Sequence, residues 1–142
     1  MTPKLTTAFA AAFVLAAAAP AFAASPIDGL WKTPTREGQV QIYDCAGALC
    51  GKLVTSLGLK ENPGLKDEKN KDESQRGRPL KDLLMLQGFS GGPVQWKGGS
   101  VYNPDDGGVY KGSIKMIGPD ELKLTGCIVF PLCKTQTWTR VK

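Results

Sequence analysis

The chain has 142 residues, a formal net charge of +5 and no histidine. This length suits one domain with a single core, and basic residues that are not clustered argue against nucleic-acid binding. Without histidine, the commonest general base and the commonest metal ligand are both missing.

Residues 1–23 have the pattern of a secretory signal peptide. Lys4 gives a positive start, an alanine-rich apolar stretch runs from Leu5 to Ala19, and Pro20 precedes the cleavage signal Ala21-Phe22-Ala23. We therefore expect export to the periplasm or the medium, with residues 24–142 as the mature domain. No cysteine lies near the cleavage site to accept a lipid, so we expect no lipid anchor. No later apolar stretch approaches the roughly 20 residues of a membrane-spanning helix.

The mature chain predicts about eight short strands separated by Gly, Pro, Asn and Asp residues. Apolar and polar residues alternate clearly from Tyr110 to Met116 and from Leu122 to Gly126, whereas Leu83 to Phe89 is a nearly continuous apolar run. Turn signals at 105–108 and 118–120 suit β-hairpins. Because no segment shows a convincing amphipathic helix, the pattern predicts an all-β antiparallel barrel or sandwich.

The four cysteines form two local pairs, Cys45 with Cys50 and Cys127 with Cys133. Neither spacing matches a zinc knuckle or a C-x-x-C redox motif. In an oxidising compartment, two structural disulfides within these pairs are the favoured interpretation.

One long polar connection runs from Leu57 to Leu80. Loops of this length in compact domains are usually functional or disordered. The charged stretch 60–82 holds seven basic and six acidic residues, so it is close to neutral. We expect one or two helical turns within Lys66–Ser74, and a loop that is mobile unless it is docked.

Arg76 and Arg78 lie where this loop returns to the fold. Their planar guanidinium groups could hold a carboxylate or phosphate of a partner. The favoured interpretation is that they pair with acids of the chain itself and fix the loop. Those acids are Asp67, Asp72 and Asp82.

Ser90 lies in Gly88-Phe89-Ser90-Gly91-Gly92-Pro93, which is similar to the serine motif of chymotrypsin-like proteases and fits G-x-S-x-G. A serine hydroxyl needs a neighbouring base to become a nucleophile. Only a lysine could act as that base here, and no S-x-x-K pattern occurs. We therefore expect a glycine-rich turn and no catalytic residue.

Two groups of side chains could offer oxygen ligands to a metal ion: Asn103, Asp105 and Asp106, and Asp67, Asn70 and Asp72. Neither carries the full calcium-loop pattern with its glycine and terminal glutamate. We interpret the first group as a turn, and we expect no metal and no cofactor.

Gly29-Leu30-Trp31 opens the first predicted strand, and Trp138-Thr139-Arg140 lies in the last. In a closed barrel these strands are neighbours, so Arg140 can stack on Trp31, a contact worth roughly 0.5–2 kcal/mol. The pattern resembles the calycin superfamily of lipocalins and their relatives, whose first strand carries Gly-x-Trp and whose end carries a packed arginine. The resemblance implies an up-and-down barrel with structural residues Gly29, Trp31, Trp138 and Arg140. The alternative is two unrelated core tryptophans.

The chain from Gly29 to Val141 also resembles DUF2147, a family of small exported bacterial proteins known only as a domain of unknown function. Where a glycine would be expected after Arg-Pro-Leu-x, this chain has Asp82. The resemblance implies a periplasmic β-barrel and brings no catalytic residues. It rests on an ordered series: 29–31, 45–51, Asn70, 76–80, 88–89, 96–99, 102–107, Tyr110 and 136–141.

The leading functional hypothesis is a non-catalytic, monomeric barrel that binds a small apolar or amphipathic ligand. The runner-up is an interaction, inhibitor or envelope-stress module that presents the 57–80 loop to an envelope protein, and an enzyme comes third. The volume left inside the barrel decides whether a ligand fits there. It depends on Trp31, Tyr110, Ile114, Met116, Leu122, Leu124 and Trp138. The candidate ligand or partner contacts are Asn70, Arg76, Arg78, Trp96, Tyr102 and Tyr110.

Overall fold

The computed structural model describes residues 3, 12–18 and 25–142. The predicted cleavage signal Ala21-Phe22-Ala23 and Lys4 lie outside the described residues, so the signal peptide remains a prediction. Residues 12–18, within the predicted leader, form neither helix nor strand. Within the described ranges no helix is long and apolar enough to cross a membrane.

Eight antiparallel strands close into one barrel in which each strand pairs with the next along the chain and the last pairs with the first. The predicted barrel is confirmed, and the sandwich alternative is wrong. The strands are β1 (Gly29–Lys32), β2 (Gln39–Cys45), β3 (Ala48–Thr55), β4 (Leu84–Gly91), β5 (Gln95–Asn103), β6 (Gly108–Gly118), β7 (Glu121–Val129) and β8 (Leu132–Arg140).

Large side chains fill the interior of the barrel. Because successive residues of a strand point to opposite faces, every second residue of β6, β7 and β8 points inward. The largest fully buried residues include Trp31, Trp138 and Phe89. The ring of Phe89 lies against Gly99 and Gly112, where a Cβ atom would collide with it. Of the side chains predicted to decide the interior volume, five are buried, Met116 is partly buried against the core, and Tyr110 is half-buried.

Arg140 and Trp31 meet where β1 and β8 close the barrel. The two residues are register partners, and the guanidinium carbon of Arg140 lies 4.3 Å from the centre of the Trp31 ring. Arg140 also donates hydrogen bonds to the carbonyl oxygens of Pro26, Asp28 and Pro119. Gly29 has a φ of 140°, and a Cβ there would lie 2.6 Å from Arg140 Nη1. The glycine of Gly-x-Trp therefore makes room for the arginine.

Both cysteine pairs are joined within themselves, Cys45 to Cys50 and Cys127 to Cys133. The predicted disulfide pairing is confirmed. The first bridge joins β2 to β3 beside their tight turn, and the second joins β7 to β8 at the base of their hairpin tip.

The only α-helix of the described residues, α1 (Leu57–Glu61), lies earlier than the helical turns expected within Lys66–Ser74. Ser56 caps α1 by accepting a hydrogen bond from the Leu59 backbone N–H, and Leu59 is buried. A single 3-10 turn, Glu73–Gln75, is all that forms near the expected position. A cap and one buried leucine determine where this short helix forms, and five residues are too few for a periodic pattern to reveal it.

Replacing Trp31 with alanine should lower the free energy of unfolding by roughly 3–5 kcal/mol, as large aromatic truncations in cores do. The loss combines a large cavity with the stacking partner of Arg140. Chemical denaturation followed by circular dichroism measures it. Unfolding of the variant at the wild-type midpoint would contradict a structural role for Trp31 in closing the barrel.

Candidate functional site

Asp67 is a buried carboxylate in the 57–80 loop that is held by three side chains. It is 1% exposed. Its Oδ1 accepts a hydrogen bond from the Tyr102 hydroxyl at 2.5 Å. Its Oδ2 accepts hydrogen bonds from Asn70 Nδ2 and from Arg78 Nε, both at 2.8 Å. We call Asp67, Asn70, Arg78 and Tyr102 the Asp67 hub.

The two limbs of the loop are joined through the residues next to the hub. Lys66 pairs with Pro79 as an isolated β-bridge, and the Asp67 backbone N–H donates to the Arg78 carbonyl oxygen at 2.9 Å. Arg76 Nε donates to the Asn70 carbonyl oxygen at 2.8 Å. Asp67 and Asn70 are buried, so this segment is docked on the barrel. The loop was expected to be mobile unless docked, and the structure shows it docked, through the buried polar cluster and through Leu59, Leu65 and Leu80, which pack on the core.

The hub keeps Asp67 charged. Burial raises the pKa of the Asp67 carboxyl, but the hydrogen bonds from Tyr102, Asn70 and Arg78 outweigh burial and leave that pKa below its usual value. Burial, followed by the hydrogen bond to Asp67, raises the pKa of the Tyr102 hydroxyl to about 12. The Arg78 guanidinium carbon also lies 5.0 Å from the centre of the Tyr102 ring. The Arg78 guanidinium therefore neutralises the charge of Asp67 and also lies against the Tyr102 ring.

A cleft of about 490 Å³ lies between the hub and the outer wall of the barrel. Gly99 and Gly112 face Phe89 in the interior, so Ser100 and Tyr102, which alternate with Gly99 and Val101, point outward. Gln87 is the register partner of Ser100 and lies on the same outer face. The lining residues are Asn70, Lys71, Asp72, Gln75, Arg78, Leu84, Met85, Gln87, Ser100, Tyr102, Gly107 and Val109.

The cleft combines an apolar surface with hydrogen-bonding groups. Leu84, Met85 and Val109 supply the apolar area, while Gln75, Gln87 and Ser100 supply donors and acceptors. Of the charges, Arg78 is paired with the buried Asp67, and Lys71 and Asp72 have opposite signs. The surroundings are therefore close to neutral, which suits an amphipathic molecule better than a strongly charged one.

The structure brings together three of the six predicted contact residues. Asn70, Arg78 and Tyr102 line the cleft. Arg76 is not part of the lining but donates a hydrogen bond to the Asn70 carbonyl oxygen. Trp96 is only 4% exposed, with its ring against Gly92, and Tyr110 donates to Asp106 instead.

Gln75, Met85, Gln87 and Ser100 were missed by sequence reasoning. Ser100-Val101-Tyr102 carried the available signal, because alternation places Ser100 on the face of Tyr102.

Asn103, Asp105 and Asp106 build the β5–β6 turn. Asp106 accepts hydrogen bonds from the Tyr110 hydroxyl and the Gly108 backbone N–H. Burial raises the pKa of the Asp106 carboxyl, but these hydrogen bonds outweigh it and lower the pKa. Asp105 pairs with Arg36 at 3.4 Å. No group of three or more His, Cys, Asp or Glu residues arranged for a metal is found in the part of the chain that the structure describes.

Ser90 is exposed on β4 with Lys97 as its register partner. Among the described residues, no hydrogen bond joins its hydroxyl to another side chain. Its lack of catalytic function remains a prediction.

A family described as an uncharacterized protein conserved in bacteria (DUF2147) matches residues 29–140. The chain belongs to this family. A comparison with curated proteins finds no match. Among solved structures, the barrel is similar to protein HP1028 from Helicobacter pylori, described as belonging to the lipocalin family. The TM-score is 0.73 at 22% identity, over 82% of this chain and 83% of the other. The likeness establishes a lipocalin-like barrel for this member of DUF2147.

Replacing Tyr102 with phenylalanine should remove an alkaline dependence of stability. The pKa of Tyr102 is about 12 in the folded protein and about 10 in an unfolded chain. The protonated Tyr102 hydroxyl therefore contributes fully to the free energy of unfolding below pH 10, and this contribution is lost as pH rises towards 12. Between pH 9 and 12 the wild-type protein should lose about 2 kcal/mol more than the variant. Urea unfolding at each pH measures the difference, and parallel curves would contradict the raised pKa of Tyr102.

Proposed function

We propose that this protein is an exported, non-catalytic binding protein that holds a small amphipathic molecule in the cleft beside the Asp67 hub. One observation carries the proposal. Trp31, Phe89 and Trp138 fill the barrel interior, while the cleft of about 490 Å³ lies on the outer wall. That volume falls within the roughly 300–1,000 Å³ of small-molecule sites. Binding in the cleft thus replaces binding inside the barrel.

The lining groups indicate the class of ligand. An apolar segment would lie on Leu84, Met85 and Val109, and a neutral or zwitterionic head would meet the amides of Gln75 and Gln87. A strongly anionic head would gain little binding energy from Arg78, because Arg78 already forms an ion pair with Asp67. Two disulfides support the proposal of export to an oxidising compartment.

Blocking the cleft should abolish binding of a neutral apolar probe. Ser100→Trp places an indole in the cleft, and Thr137→Trp, on the exposed outer face of β8, is the matched control. Titration with N-phenyl-1-naphthylamine should show at least tenfold weaker binding for Ser100→Trp and wild-type binding for Thr137→Trp. Equal binding by both variants would place the probe elsewhere, and absence of wild-type binding would argue against the proposed function.

The loop arginines separate this proposal from the interaction module. Arg78 is committed to Asp67 and Gln75, whereas Arg76 contacts the Asn70 carbonyl and the exposed Glu73. Arg78→Ala should therefore lower stability by about 2–3 kcal/mol, because it removes hydrogen bonds to a buried charge. Arg76→Ala should cost about 1 kcal/mol or less. Melting temperatures test this. Unchanged stability in both variants, with envelope proteins lost from a pull-down, would favour the interaction module.

A further inference from the structure

The tip of the β7–β8 hairpin, Ile128–Leu132, is a second feature, separate from the cleft. Its apolar side chains point into solvent: Ile128 is 73% exposed and Phe130 is 86% exposed, with Val129 and Leu132 at 61% and 64%. Burying such side chains is favourable, and single exposed apolar residues are common whereas contiguous ones mark contact surfaces. The tip is therefore a candidate for contact with something outside the chain.

A disulfide bond holds the tip together at its base. Strand pairing between β6 and β7 ends at Lys111 and Cys127, and beyond it Ile128, Val129 and Phe130 line a groove on the outer wall together with Lys111 and Ser113. The Cys127–Cys133 disulfide closes that hairpin at its base. Inside it, the Cys133 backbone N–H donates to the Pro131 carbonyl oxygen at 2.9 Å. A fixed base keeps the apolar side chains together at one point.

The segments that carry the tip have charges of one sign. Residues 107–118 and 122–142 contain no acidic residue. Lys111 and Lys134 flank the tip, and Lys115 and Lys123 continue along the outer face of β6 and β7; all four are exposed. None of them takes part in the ion pairs found among the described residues. An apolar projection surrounded by unpaired lysines is complementary to an anionic lipid surface.

We propose that the Ile128–Leu132 tip inserts into the interface of an anionic lipid bilayer, with Lys111 and Lys134 at the level of the phosphates. Five residues of one hairpin tip are far fewer than the roughly 20–30 residues per side of a stable protein interface. The soft headgroup region accepts a small knob without a matching groove. This inference does not depend on the proposed ligand cleft.

Vesicle flotation tests the insertion with residues 24–142, the predicted mature protein. Wild-type protein should bind vesicles of 30% phosphatidylglycerol in phosphatidylcholine at least tenfold more tightly than pure phosphatidylcholine vesicles. The double variant V129S/F130S should bind at least tenfold more weakly than wild type. Val94→Ser, which removes an apolar side chain that is 52% exposed in the β4–β5 connection, is the matched control and should bind as wild type does.

Charge and depth are tested by further variants. K111Q/K134Q should lose most of the preference for phosphatidylglycerol, and K32Q/K52Q, with the same net charge, should keep it. Phe130→Trp should be quenched by lipids brominated on their acyl chains.

Three results would overturn the proposal. They are equal vesicle binding by wild type and V129S/F130S, no binding by wild type, and a concentration-dependent dimer that V129S/F130S abolishes without vesicles. The last result would assign the tip to contact with a second copy of the chain. Unfolding curves of V129S/F130S that match those of wild type show that the variant is folded.

Discussion

The contact between Arg140 and Trp31 closes the barrel, and the filled interior depends on that closure. β1 has only four residues and pairs with β8 at two register positions, so the backbone ladder is short at this point. Arg140 extends it with side-chain hydrogen bonds to carbonyl oxygens on both sides of the closure, at Pro26 and Asp28 and at Pro119. An open closure would expose the edges of β1 and β8 and let water reach Trp31 and Trp138.

A barrel filled by aromatic rings has consequences for its outer wall. Because Phe89 occupies the space above Gly99 and Gly112, β5 has a glycine at the inward position 99, and Ser100 and Tyr102 lie on its outer face. The outward Tyr102 needs a polar partner for its hydroxyl when it is covered. Asp67 supplies that partner and thereby fixes the loop on the wall. β5 thus contacts the Phe89 ring on its inner face and lines the cleft on its outer face.

The features that depend on local sequence pattern could be predicted from the sequence. Alternation predicted the strands, short spacing predicted both disulfides, and the ordered motifs indicated the barrel family. The Asp67 hub could not be predicted, because its Tyr102–Asp67 hydrogen bond joins residues 35 positions apart. In a count of charges along the stretch 60–82, Asp67 is also indistinguishable from five other acids that would be exposed to solvent. The hairpin tip was also missed: an apolar run such as Ile128–Leu132 looks the same in sequence whether it is in a core or in solvent.

The two proposed surfaces meet on one strand. Along the outer face of β6, Val109 lines the cleft beside the hub, and Lys111, two residues further, lines the groove below the hairpin tip. In an up-and-down barrel, the 57–80 loop, the β5–β6 turn and the β7–β8 tip all lie at the same end. A tip inserted at a lipid surface would therefore hold the cleft next to that surface. An amphipathic molecule partitions into such a surface, so the protein would meet its ligand where the ligand is concentrated. Lipid contact and ligand binding would then be separate functions of one end of the barrel, and loss of the tip would lower ligand capture from membranes while leaving binding from solution unchanged.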